Sequence, residues 1–172
     1  ESLFTQMRQG PHPIPGWVVV GAGTGGTAST IGRYVRYRPE LQSTRLCVVD
    51  PQGSIFFKHF AQGEDCAPAN NSDFIEGIGR KRPSPSFVAA LVDRMIAVPD
   101  EASIAAARWL ETRTGKRFGP STGTHLIGVL ALASEAAGEA KTCSLVTLCG
   151  DQGERYAETI YDDSWIRSAE LD

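Results

Sequence analysis

Residues 17–50 read WVVVGAGTGGTASTIGRYVRYRPELQSTRLCVVD, and their order decides the fold. The run WVVVG is continuously apolar up to its glycine, the pattern of a strand buried on both faces. A glycine-rich turn follows. A helix is then expected over about residues 25–37, stopping before Pro39, because proline disfavours helix in the residue preceding it. RLCVVD, residues 45–50, is a second buried strand. Two parallel strands need a crossover, and the intervening length suits a helix.

The turn itself reads in two ways. Gly21, Gly23 and Gly26 satisfy G-x-G-x-x-G, and Asp50 ends the next strand where a ribose-binding acid would sit, as in a dinucleotide site for NAD or FAD. Alternatively, Gly23, Thr24, Gly25, Gly26 and Thr27 form a nest of backbone amides and two hydroxyls around a single phosphate. A plain tight turn is less fitting, since so many glycines cost backbone entropy.

Outward from this unit, SLFTQM spaces its apolar residues as a short helix, ended by the proline-rich GPHPIPG. SIFFKHF reads as a short helix, CAPANNSDF as loop and EGIG as a glycine turn. SFVAALVD (residues 86–93) reads as helix and RMIAVP as strand. DEASIAAARWLETRTG is a helix that Asp100 can cap and Gly115 ends, with Trp109 in the core. GPSTGTHLIGVLALASEAAG is a further helix and CSLVTLCG a further buried strand. ERYAETIYDDSWI is expected as one terminal helix, with Trp165 packing the end of the chain down. Alternating buried strands and helices make the fold class α/β, a three-layer, mostly parallel sheet flanked by helices. The 172 residues fit one domain, with no repeat or linker.

Composition bounds the function. The net charge of -3 gives no basic field for nucleic acid, and no apolar run has the length of a membrane span. Cys47, Cys66, Cys143 and Cys149 include no C-x-x-C pair, and three lie in apolar runs. Mostly buried, reduced thiols and a cytoplasmic location are expected. His12, His59 and His125 lack metal spacing. His125 reads as a partly buried histidine with its hydrogen bonds met, RKRPSP as a solvated loop, and each of Lys58, Lys81, Lys116 and Lys141 as a solvated surface residue.

Three later motifs, EGIG, GPSTG and GDQGERY, fall at strand or helix ends where they could line one pocket with the glycine turn. Taken in order, GTGGT, DPQGSIFF, EGIG, GPSTG and GERY resemble the fold-type II pyridoxal-phosphate enzymes, the cysteine synthase and cystathionine β-synthase family. The similarity runs over about residues 17–165, and within the family it is greatest to actinobacterial desulfhydrase-like members. The resemblance implies pyridoxal 5′-phosphate as cofactor, held at its phosphate by Gly23, Thr24, Gly25, Gly26 and Thr27. It implies Ser121 as partner of the pyridine nitrogen, and Gly77 and Gly79 on the substrate side. It implies β-elimination or β-replacement on a cysteine- or serine-like amino acid, and a homodimer. None of the four lysines stands in the family's cofactor-lysine motif. The chain is therefore expected to be the C-terminal part of a larger enzyme, with the N-terminal catalytic-lysine portion absent and no activity by itself. A non-catalytic subunit that keeps the phosphate nest is the remaining alternative.

Overall fold

Val18, Val19 and Val20 are all buried in strand β1 (Trp17–Gly21), so both of its faces are covered. In this computed structural model, which describes residues 1–63 and 74–171, β2 (Arg45–Pro51) runs parallel beside it, with Val18 opposite Leu46 and Val20 opposite Val48. Strand β3 (Arg94–Val98) pairs with β2, and β4 (Leu145–Thr147) pairs with the other edge of β1. The order is β3-β2-β1-β4, all parallel. The chain steps outward from β1 to β3 and then returns to place β4 on the opposite side. That reversal opens a crevice beyond the carboxyl ends of β1 and β4, the usual place for a ligand in such sheets.

Helices cover both faces. On one, Phe4 of α1 (Ser2–Met7), Ala28 and Val35 of α2 (Gly26–Arg36), and Ile55 and Phe56 of α3 (Ile55–Gln62) pack on Val18, Val20, Leu46 and Val48. On the other, α4 (Asp100–Thr114) and α5 (Pro120–Gly138) cover Trp17, Val19, Cys47, Val49 and Val98, with Leu132 buried among them. Thr124 Oγ1 donates to Ser103 Oγ (2.9 Å), a buried tie between α4 and α5. A third cluster joins Ile104 and Ala107 of α4 to Ile75, Ile78, Tyr156, Ile160 and Ile166, the last on α6 (Asp163–Ser168). Among the described residues no helix is long and apolar enough to cross a membrane.

Several expectations are corrected. Residues 86–93 form a single 3-10 turn at Ala89–Leu91, not a helix. Their backbone bonds go elsewhere: Ser29 Oγ donates to Ser86 O (2.7 Å) and accepts from Val88 N (3.0 Å), while Asp93 N donates to Leu46 O (2.9 Å). The terminal segment is two pieces, a 3-10 turn Glu154–Tyr156 and then α6, which restarts where Asp162 accepts from Trp165 N (2.8 Å). Strand β4 is only half buried, as an edge strand should be. Asp100 is the first residue of α4, behind Pro99, and does not cap it. Trp109 is 48% exposed beneath the guanidinium of Arg113, because its stripe of α4 faces away from α5. Cys149 is exposed, since β4 has ended before it; Cys47 is buried and Cys143 half-buried. Trp165 does pack the terminal segment, edge-on to Phe74. The four lysines are exposed, as are most residues of RKRPSP. Cys66 and nearly all of CAPANNSDF lie outside the described residues.

Candidate functional site

The glycine turn takes shape where β1 hands over to α2. Gly25 has φ +83°, which an L side chain adopts only with strain, and a Cβ there would lie 2.5 Å from Phe87 Cβ. No side chain caps α2; the nearest approach is Gly26 N to Thr24 Oγ1 at 3.5 Å. The first amides of the helix therefore point, uncapped, at the space beyond the turn, where the helix dipole favours an anion. Thr24 and Thr27 line the same space.

The other walls come from the later motifs. EGIG folds over the nest: Gly79 N donates to Ala22 O (2.8 Å), and a Cβ on Gly23 would meet Gly77 O at 2.3 Å. Ser121, in the first turn of α5, supplies the floor with His125 one turn later. Cys149, Gly150 and Asp151 follow β4, and Arg155 and Tyr156 close the far side. Together they bound one open cleft of about 570 Å³ at the carboxyl ends of β1 and β4, within the range of small-molecule sites.

Its polar groups are ordered. Tyr156 Oη donates to Asp151 Oδ2 (2.9 Å), and Arg155 pairs with Glu76 across the mouth. Burial, and then the Asp151 carboxylate, push the Tyr156 phenol well above its usual range, so it stays a donor. His125 is buried, 5% exposed, with Nε2 accepting from Gly21 N (2.7 Å) and Nδ1 2.8 Å from Leu148 O. Burial holds its pKa below the ordinary imidazole value, so it is neutral at physiological pH. Ser121 Oγ is different: among the described residues it has no hydrogen-bond partner, and Gly119, not Ser121, occupies the N-cap of α5. Its hydroxyl faces the cleft.

The structure thus brings together Gly23, Thr24, Gly25, Gly26, Thr27, Gly77 and Ser121. Gly79 lies behind the wall and fixes it to Ala22. Asp50 does not reach the cleft. It is fully buried and turned to the start of α3, where Oδ2 accepts from Phe57 N (2.9 Å). A ribose-binding role for Asp50, and with it the dinucleotide reading, is not supported. Glu76, Arg80, Cys149 and Asp151 were not singled out by sequence. Each sits beside a glycine of a recognised motif, which is the signal that could have found them.

The fold and cleft define an α/β protein with an open cleft between an uncapped glycine turn at the start of α2 and the first turn of α5. Residues 3–148 match the family of pyridoxal-phosphate dependent enzymes, and the chain belongs to it. It is 52% identical over 172 residues to an L-cysteine desulfhydrase of Mycobacterium tuberculosis, covering 100% of this chain and 46% of that protein. It is 32% identical over 149 residues to a cysteine synthase 2 of Neurospora crassa, covering 80% of this chain and 32% of that one. Among solved structures it superposes on an O-acetylserine dependent cystathionine β-synthase from Helicobacter pylori with a TM-score of 0.72 and 27% identity, covering 93% of this chain and 48% of the other. The chain spans less than half the length of these relatives.

The residues present fit the family's cofactor. An uncapped glycine turn flanked by two threonines suits its phosphate, and a serine hydroxyl open to the cleft, with no partner among the described residues, suits a ring nitrogen. Among the described residues no lysine lines the cleft.

Proposed function

We propose that this chain forms the cofactor-binding half of a pyridoxal-phosphate enzyme that eliminates or replaces the β-substituent of a cysteine- or serine-type amino acid, a lyase or transferase of sulfur amino-acid metabolism. The observation that carries it is the cleft in which the uncapped glycine turn of α2 faces a Ser121 hydroxyl that has no partner among the described residues. When bound, the cofactor supplies the electron sink for breaking bonds at the substrate's α- and β-carbons. Residues 23–27 would anchor its phosphate through backbone amides and the two threonine hydroxyls. Ser121 would donate to or accept from the ring nitrogen without imposing a charge on it. Gly77, with no side chain, would leave room for the substrate beside the ring. Tyr156, held as a donor by Asp151, would close the wall opposite.

Similarity to a desulfhydrase favours elimination from cysteine, with release of sulfide, over replacement. The four exposed lysines leave the covalent attachment of the cofactor to a part of the protein this chain does not span. We further infer a cytoplasmic homodimer, supported by free thiols at Cys47, Cys143 and Cys149 and by the family resemblance.

Borohydride reduction of the full-length protein, followed by peptide mapping, tests the division of labour. The expected product is one phosphopyridoxyl-lysine outside residues 1–172, in a protein that releases sulfide and pyruvate from cysteine. Labelling at Lys58, Lys81, Lys116 or Lys141 with turnover would overturn it.

A further inference from the structure

One rung of the β1–β4 ladder is supplied by a side chain. Trp17 N donates to Ser144 O (3.2 Å), and the register sets Trp17 opposite Leu145 and Val19 opposite Thr147. Alternate N–H groups of a strand point to the same neighbour. The N–H of Gly21 therefore belongs to the row begun by Trp17, and its partner by register would be the carbonyl of Leu148. His125 stands between those two groups: Gly21 N donates to Nε2 at 2.7 Å, and Nδ1 lies 2.8 Å from Leu148 O. The ladder thus ends at Thr147, whose Oγ1 donates to Val19 O (2.7 Å), and beyond it an imidazole ring spaces the strands.

We propose that His125, neutral and inserted as a two-nitrogen rung between Gly21 and Leu148, is a positioning residue that props open the floor of the cofactor cleft. The inference rests on the pyridoxal-phosphate reading. The tautomer follows from the partners. A carbonyl only accepts, so Nδ1 carries the proton; an amide N–H only donates, so Nε2 is bare. The ring is buried in the cleft floor and so cannot trade these partners for water. It touches three things that the site needs in register: the last residue of β1 before the nest, the β4 end that leads to Cys149 and Gly150, and α5, which carries Ser121 one turn earlier on the same face. Direct pairing of Gly21 with Leu148 would bring the strand ends together and narrow the crevice between them.

Protonation would set a second N–H against the N–H of Gly21 and turn a hydrogen bond into a repulsion. Burial lowers the pKa of His125, so the rung is intact at neutral pH and fails only in acid below the ordinary imidazole range. Among the described residues, the charged or titratable side chains facing the same cleft are Glu76 and Arg80 from the glycine turn, Cys149 and Asp151 from the β4 end, and Arg155 and Tyr156; β1, α2 and α5 contribute none there besides His125.

The test uses full-length protein and 4′-deoxypyridoxine 5′-phosphate, which lacks the aldehyde and so reports the cleft without the lysine. An amide presents one acceptor and one donor at a spacing close to that of the two ring nitrogens, and it does not titrate. His125→Asn or His125→Gln is expected to bind the probe within about threefold of wild type at neutral pH and to lose the histidine part of the acid limb. His125→Phe, which fills the space but bonds neither partner, is expected to bind it about tenfold or more weakly at every pH. Two-bond 15N–1H spectra of wild type should show the Nδ1–H tautomer. An Nε2–H tautomer, amide variants as weak as His125→Phe, or identical acid limbs in wild type and amide variants would each overturn the role of His125. Failure of wild type to bind either the probe or pyridoxal phosphate at neutral pH, with the Nδ1–H tautomer in place, would instead overturn the cofactor reading and the positioning role that depends on it.

Discussion

Thr27 stands exposed in the first turn of α2 and lines the cleft. That makes it a cleaner probe of the nest than Gly25, where any side chain would collide with Phe87 and disturb packing as well as binding. An acid at position 27 would favour the helix dipole by about 0.5 kcal/mol when the site is empty, yet repel a phosphate. Thr27→Asp is therefore expected to keep or raise thermal stability while cofactor content falls at least tenfold, read by absorbance after dialysis. Unchanged cofactor content would count against the nest. Asp50 makes a separate residue-level prediction. Burial pushes its carboxyl up to about 6, against hydrogen bonds that lower it, and Oδ1 is buried without a partner among the described residues. The folded state thus holds this proton more tightly than the unfolded chain does. Asp50 contributes stability fully present only below its unfolded pKa, and that contribution is lost as pH rises through about 6. Asparagine keeps an acceptor for Phe57 N and does not ionise. Between about pH 4 and pH 7, wild type should lose roughly 1–3 kcal/mol relative to Asp50→Asn in urea unfolding. Parallel stability curves would refute the assignment.

At the level of elements, the strands and long helices were legible because their signals are local. WVVVG and RLCVVD are apolar throughout, and the helix at α4 carries early acids and a terminal glycine that takes φ +68°. Residues 86–93 were misread because SFVAALVD has helical composition, while the bonds that hold it extended come from Ser29, far back in the chain. No window around residue 90 contains that information. The tie is testable. Ser29 is buried at 3% exposure, so Ser29→Ala leaves Ser86 O and Val88 N without their partner. It should cost about 1–3 kcal/mol and speed hydrogen exchange at Val88 ahead of global unfolding. The terminal segment was misread for a related reason. Asp162 and Tyr161, taken as helical residues, instead start α6 and bond the backbone of Phe118.

Across the whole molecule, the cleft was legible as four of the five ordered motifs, since glycines and small hydroxyl residues mark close approach wherever they fall; DPQGSIFF lies away from it, at the start of α3. What the motifs did not reveal was their mutual arrangement. His125 was recognisable as a histidine with its bonds met, but its bridging place depends on β4 arriving beside β1, which only the sheet order discloses. Arg155 and Glu76 likewise meet across the mouth from segments far apart in sequence. That same sheet order governs how the protein is made. The partner of β1 on one edge, β4, lies more than a hundred residues downstream, so during synthesis that edge stays open until nearly the whole of this chain has emerged. Closing so long a loop is slow, and an unpaired apolar strand is a template for association in the meantime. On the proposed reading of the cleft, cofactor capture is a late event in the life of the nascent chain, after β4 docks, and the interval before it is when the protein most needs protection from its neighbours.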